Sequence, residues 1–143
     1  MTSNLSQFIK FLKEEISENQ ISSANTIDVI DPRDRLENKS EICVKPKNTQ
    51  EISKILKLAN KFIIPIIPIG GSTGLVGGQI ASQSNHVTLS LEKLNTINFY
   101  KESNLLYVQS GAILSNIKKL AFNNGRLFPL SLASEGSCQI GGN

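Results

Sequence analysis

The sequence predicts a mixed α+β fold, and three observations carry that expectation. Apolar residues recur at helical spacing in three separate stretches, and short β-branched runs suited to strands lie between them. No internal repeat or low-complexity tract interrupts the order of helix, strand, helix, strand, loop, then strands and a helix.

Taken in order, Leu5, Phe8, Ile9, Leu12 and Ile16 form one stripe and predict an amphipathic helix over residues 3–18. The polar stretch Asp31 to Ser40 reads as a connecting loop, and Glu41 to Lys45 as a short strand. Asn48, with Glu51 three residues on, resembles a capping pair. Ile52, Ile55, Leu56 and Ala59 follow as the buried stripe of a second helix ending near Lys61. Ile63 to Ile67 predicts a strand buried on both faces, with Pro65 near its start. His86 to Leu91 predicts another. Asn95 to Tyr100 and Leu105 to Ser110 predict a hairpin turned by Lys101 to Asn104. Ile113, Leu114, Ile117, Leu120 and Ala121 predict the last helix, closed by Gly125. Leu127 to Asn143 has no clear period.

A chain of 143 residues is one domain by the usual prior, and 39% hydrophobic with 19% charged residues is ordinary for a folded protein. The net charge of +3 is spread without a dense basic block, which gives no reason to expect nucleic acid as a partner. Cys43 and Cys138 frame no disulfide scaffold, so a reducing, cytoplasmic setting is the simpler expectation. Glu14 and Glu15 interrupt any leader character in the first helix, and the apolar run Phe62 to Ile69, broken by Pro65 and Pro68, is too short to span a bilayer. One histidine and two distant cysteines supply no metal-binding spacing.

Eight of the ten glycines fall in two short stretches, Pro68 to Gly78 (PIGGSTGLVGG) and Ser134 to Asn143 (SEGSCQIGGN). Glycine lets backbone approach a ligand closely. From Phe62 through Leu91 there is no Asp, Glu, Lys or Arg, so an anion held by the first stretch would have to be held by backbone N–H groups and the hydroxyls of Ser72 and Thr73. That suits the diphosphate of a dinucleotide; the plain alternative is a pair of tight turns.

Sharper motifs fit less well. A Walker loop requires a lysine that this stretch lacks. A Rossmann fingerprint requires Gly-x-Gly-x-x-Gly opening a helix, but Gly71, Gly74 and Gly77 are spaced Gly-x-x-Gly-x-x-Gly and Gly77 to Asn85 has no helical stripe, although Glu92 stands where a ribose contact would be wanted. Gly70 to Gly74 also matches the hydrolase nucleophile elbow, with Ser72 as nucleophile. The only histidine, His86, is not separated from it by any carboxylate, which leaves serine hydrolysis a remote alternative.

Val44 to Ile52 (VKPKNTQEI), Ile64 to Gly78, Leu89 to Leu94 (LSLEKL), Val108 to Ala112 (VQSGA) and Phe128 to Asn143 (FPLSLASEGSCQIGGN) occur in one order. This set resembles the FAD-binding domain of the vanillyl-alcohol oxidase and para-cresol methylhydroxylase superfamily. Within it, the two glycine motifs are most similar to D-lactate, D-2-hydroxyglutarate and glycolate dehydrogenases, over about residues 41–143.

The resemblance implies a small parallel sheet and a second, largely antiparallel sheet, with flanking helices and FAD held between them. It places Pro68, Ile69, Gly70, Gly71, Ser72, Thr73, Gly74 and Leu75 in the loop that cradles the pyrophosphate. Pro129, Leu130, Leu132, Gly136, Ser137 and Cys138 would run beside the flavin, and Ile140, Gly141 and Gly142 would make the second close backbone approach. Where some branches attach FAD covalently through histidine, this chain has Ser72, so the flavin is expected to be non-covalent. Cys138 would be a wall residue, and Glu135, beside the phosphates, is expected to turn to solvent.

The resemblance further implies hydride transfer from a 2-hydroxyacid to the flavin in intact relatives, some of which would sit peripherally at an inner membrane. Family chains continue into a substrate-holding cap domain, so this sequence is expected to be a partial FAD-binding domain, C-terminally truncated, with no catalytic residue of its own. Its partners would be FAD and a second chain carrying the missing half. The alternative is a non-catalytic fragment that binds nucleotide or packs on such a chain.

Overall fold

The computed structural model describes residues 3–24 and 29–143. Helix α1 (Ser3–Glu15) leads into strand β1 (Ile21–Ser23) and strand β2 (Ile42–Val44). Then come helix α2 (Thr49–Phe62) and strands β3 (Ile66–Ile69) and β4 (Val87–Ser90). Strands β5 (Ile97–Tyr100) and β6 (Leu105–Val108) and helix α3 (Leu114–Asn123) complete the order, with a 3-10 turn at Ile140–Gly142.

The first sheet has the order β1-β2-β4-β3. Strand β4 runs parallel to both β2 and β3, and β1 is antiparallel to β2. Strands β5 and β6 form a separate antiparallel hairpin in the register Ile97↔Val108 to Tyr100↔Leu105. The architecture is therefore the small parallel sheet, second antiparallel sheet and flanking helices that the sequence led us to expect.

Register explains the core. Val44, Val87 and Leu89 lie on one face of the first sheet, and α1 and α2 lay Leu5, Phe8, Leu12, Ile16, Ile55 and Ala59 against it. Each fully buried Leu or Phe contributes about 1.5–3 kcal/mol by leaving water. Cys43 and Thr88 point to the opposite face and are equally buried, so the middle of the sheet is covered on both sides.

Helix α1 is shorter than its stripe suggested. It stops at Glu15, and Glu18–Gln20 form a separate 3-10 turn in which the Ser17 N–H donates to Gln20 Oε1 at 3.2 Å. Gln20 is buried and donates in turn to the Lys45 carbonyl (3.1 Å) and to Glu51 (2.6 Å), so the chain is pinned there instead of winding on.

Helix α2 begins as expected, with the Glu51 N–H donating to the Asn48 side chain at 2.8 Å. Its far end displaces the next strand. Ile63 caps the helix in the left-handed region (φ 55°) and is 81% exposed, so pairing starts only after Pro65. Strand β3 is also an edge strand and is not buried on both faces, which lets Pro68 sit inside it without loss of a ladder donor. The strand buried along its whole length is β4.

Candidate functional site

Gly70 follows β3 at its carboxyl end, the side of a parallel sheet where ligands characteristically bind. The chain from there to β4 makes the parallel crossover without a helix, as a long glycine-rich loop. Among the described residues, none accepts from the N–H groups of Gly71, Ser72, Thr73 or Gly74. Two carbonyls at the end of this run are tied down: Gln79 Nε2 donates to the Gly74 oxygen at 2.9 Å and Arg35 Nη2 to the Leu75 oxygen at 2.8 Å. A run of free N–H groups anchored at its end is suited to an anion.

A strap from Ile30 to Leu36 holds this loop from behind. The Ile30 N–H donates to Ser72 Oγ at 3.3 Å, and the Ile30 carbonyl accepts from Gln79 Nε2 at 3.1 Å. Leu36 packs on Gly77, which adopts a φ of 76° that favours glycine. The strap folds around the buried Asp31 carboxylate, which accepts from the N–H groups of Arg33 (3.2 Å) and Arg35 (3.0 Å) and pairs with the Arg35 guanidinium at 3.6 Å. Burial opposes the charge on Asp31, but these N–H groups and the guanidinium outweigh it and hold the carboxyl below its ordinary range.

The second glycine stretch converges on the first. The α-carbon of Gly71 faces the Ser137 carbonyl, and Gly70 faces the Gln139 side chain. Here, however, most of the N–H groups are consumed inside the protein. Ser137 and Cys138 donate to the Ser134 carbonyl (2.9 and 2.8 Å), Ile140 to Ala112 (2.9 Å) and Gly141 to Ser110 (2.8 Å), while Gly142 donates to Gln139 (3.0 Å). The two stretches are thus unequal: one presents donors and the other builds a wall.

Between them lies a cleft of about 460 Å³. Pro68, Gly70, Gly71, Ser72, Thr73 and Gly74 line it from the first stretch. Leu130, Leu132 and Gly142 line it from the second. Gln79, Ser134, Gln139 and Asn143 complete the wall, and none of them was singled out from the sequence. The remaining expected residues stand outside the lining. Ile69 is buried in β3, Leu75 is held by Arg35, and Cys138 is buried. Gly141 is pressed against Ser110, and Ser137 backs Gly71. Pro129, Gly136 and Ile140 also lie off the cleft surface. No lining side chain carries a charge.

Residues 40–143 match the family model described as FAD binding domain. The chain belongs to the FAD-binding domain family. Among its relatives is a D-2-hydroxyglutarate dehydrogenase of Arabidopsis thaliana, named as mitochondrial, that is 33% identical over 96% of this chain and 25% of its own length. A Xanthomonas citri D-2-hydroxyglutarate dehydrogenase is 36% identical over 68% of this chain and 21% of its own. A Schizosaccharomyces pombe protein provisionally named as a mitochondrial D-lactate dehydrogenase is 39% identical over 79% and 22% respectively. The chain therefore spans between a fifth and a quarter of the curated relatives it matches.

The solved structure of an alkyldihydroxyacetonephosphate synthase superposes with a TM-score of 0.83 at 19% identity, covering 96% of this chain and 28% of the other. A grass pollen glucose dehydrogenase, Phl p 4, superposes with a TM-score of 0.80 at 16% identity, covering 96% and 30%. At these identities the likeness is one of fold.

The cleft of this FAD-binding domain fits its cofactor by one test internal to the chain. A dinucleotide brings a doubly charged diphosphate, and the N–H groups of Gly71 to Gly74, unpaired among the described residues, sit in a lining free of acidic side chains. Glu135, whose charge would oppose that anion, is 39% exposed at its side chain and pairs with Lys118 on α3 at 2.5 Å instead of simply facing solvent. Glu92 is likewise engaged, with Lys45 at 3.0 Å. Ser72 accepts from Ile30, and neither a histidine nor an acidic side chain lines the cleft, so the geometry of a hydrolase triad is missing around it. Cys43 and Cys138 are free and buried, and burial pushes the Cys43 thiol up to about 11. Among the described residues no metal-binding cluster forms and no helix is long and apolar enough to cross a membrane.

Proposed function

We propose that this chain forms the FAD-gripping part of a 2-hydroxyacid dehydrogenase of the D-lactate, D-2-hydroxyglutarate or glycolate type, binding the flavin without a covalent bond. The observation that carries the reading is the unpaired N–H run of Gly71, Ser72, Thr73 and Gly74 in a neutral cleft. FAD, when bound, would supply the redox chemistry, accepting hydride from the hydroxyacid. The chain's own residues would bind and orient it. The first loop would neutralise the diphosphate, while Leu130, Leu132 and Gly142 would give a lipophilic, closely approaching wall on the other side. Non-covalent attachment is supported by the absence of histidine from the lining and by the burial of Cys138.

Substrate handling falls, in this reading, to sequence outside the span covered here, in the same polypeptide or in a second chain. A reducing compartment is supported by the two free, buried cysteines, and both the cytoplasm and the mitochondrial setting named for several relatives meet that condition.

Protein purified without added cofactor and then titrated with FAD tests the reading. Quenching of flavin fluorescence with a rise in Tm, and a yellow colour released by acid, are the expected results. A colourless chain whose Tm ignores FAD would remove the flavin reading.

A further inference from the structure

Gln79 is more than nine-tenths buried, lines the cleft, and spends its amide group on two carbonyls of different segments. Its Nε2 donates to Ile30 O at 3.1 Å and to Gly74 O at 2.9 Å. Both amide hydrogens are thereby used, which fixes the orientation of the side chain, since the reversed amide would set its oxygen against two carbonyl oxygens. Gly74 accommodates this arrangement because it lacks a side chain: a Cβ there would lie 2.9 Å from Gln79 Oε1.

The consequence falls on the loop's polarity. A peptide unit can present its N–H or its C=O to a ligand, and a carbonyl turned into an anion site would repel the anion. Held by Gln79 and by Arg35, the Gly74 and Leu75 carbonyls are not free to turn towards a ligand, and they anchor the end of the run whose N–H groups, Gly71 to Gly74, find no acceptor among the described residues. We propose that Gln79 is a positioning residue for the cofactor site: by tying the Gly74 carbonyl to the Ile30 strap, it keeps the first glycine loop in its anion-accepting conformation. The inference rests on the flavin reading for the ligand's identity, though not for the clamp itself.

The test uses Gln79→Leu, which keeps the side chain's bulk and removes both donors, together with Gly74→Ala, which pushes the Gln79 amide away, and the double variant. FAD affinity is read by flavin fluorescence, with inorganic pyrophosphate as competitor, and amide hydrogen exchange is followed in the free proteins. Each single variant is expected to weaken FAD and pyrophosphate by a similar factor of about tenfold, the value of one well-formed hydrogen bond. The double variant should be little worse than either single one, because both remove the same clamp. In the free Gln79→Leu protein, exchange at the hydrogen-bonded amides tied to the loop, Ile30 (to Ser72 Oγ) and Ile80 (to the Gly77 carbonyl), should accelerate while the amides of α2 stay protected. A lowered Tm with unchanged FAD affinity and unchanged loop exchange would reduce Gln79 to a packing residue and overturn the proposal. Should the unmodified chain bind neither ligand, the flavin reading falls, and the exchange measurement still decides whether the clamp exists.

Discussion

Gly71 lies so close to Ser137 that a methyl group on its α-carbon would overlap the Ser137 carbonyl oxygen and sit 2.8 Å from its carbon. Backbone cannot yield there as a flexible side chain would, so the two glycine-rich stretches meet only because position 71 is bare. Gly71→Ala is expected to cost about 1–3 kcal/mol, the usual range for overpacking, and to pry the wall away from the loop. Urea unfolding and FAD titration on one preparation check both halves. A stable variant with full affinity would show that the contact is not needed.

Asp31 predicts an acid response. Its carboxyl is held below the ordinary value of 3.8, so the folded chain takes up its proton less readily than the unfolded one. The stability it contributes is complete above that value and is lost as pH falls below it, through the lowered folded-state value. Thermal unfolding of the unmodified chain and of Asp31→Asn from pH 7 downwards should therefore show the variant less stable by a constant margin above about pH 4 and by a narrowing margin below it. Parallel curves over the whole range would remove Asp31 from the account.

Cys43 predicts the opposite flank. Burial raises its thiol from 9.0 to about 11, so the proton is held more tightly in the fold than in the unfolded chain. Stability from this group is full below pH 9 and declines as pH rises towards 11. A thiol reagent at pH 8 should leave Cys43 unmodified until denaturant is added, and rapid labelling of the native chain at this residue would contradict the burial.

Glu135 and Lys118 predict a small effect. Their side chains are 39% and 29% exposed, a setting in which ion pairs contribute about 0–1 kcal/mol. Glu135→Gln is expected to leave FAD affinity unchanged, since the carboxylate is held at α3. Tighter FAD binding by the variant would mean that Glu135 repels the diphosphate after all.

How much of this was legible in advance differs by element. The Asn48–Glu51 cap, the stripe of α1, the hairpin and Gly125 beyond α3 are local signals, and they appeared where local chemistry put them. Strand β1 has three residues and no alternation long enough to read, and β3 starts three residues later than expected because Ile63 serves α2 first. The stretch after Asp31 looked like plain connecting loop. Its role depends on Ile30, Arg35 and Leu36 reaching residues some forty positions away, and no periodicity records such a contact.

By itself the sequence determined which backbone could come close to a ligand, because glycine content and the absence of charge from Phe62 through Leu91 are properties of composition. Only the tertiary structure decided what those glycines do. The N–H groups after Gly136 find partners in Ser134, Ser110 and Ala112, whereas those of Gly71 to Gly74 find none among the described residues. A hydrogen bond between distant segments is set by how the chain packs, so two stretches of similar composition became a wall and a cradle.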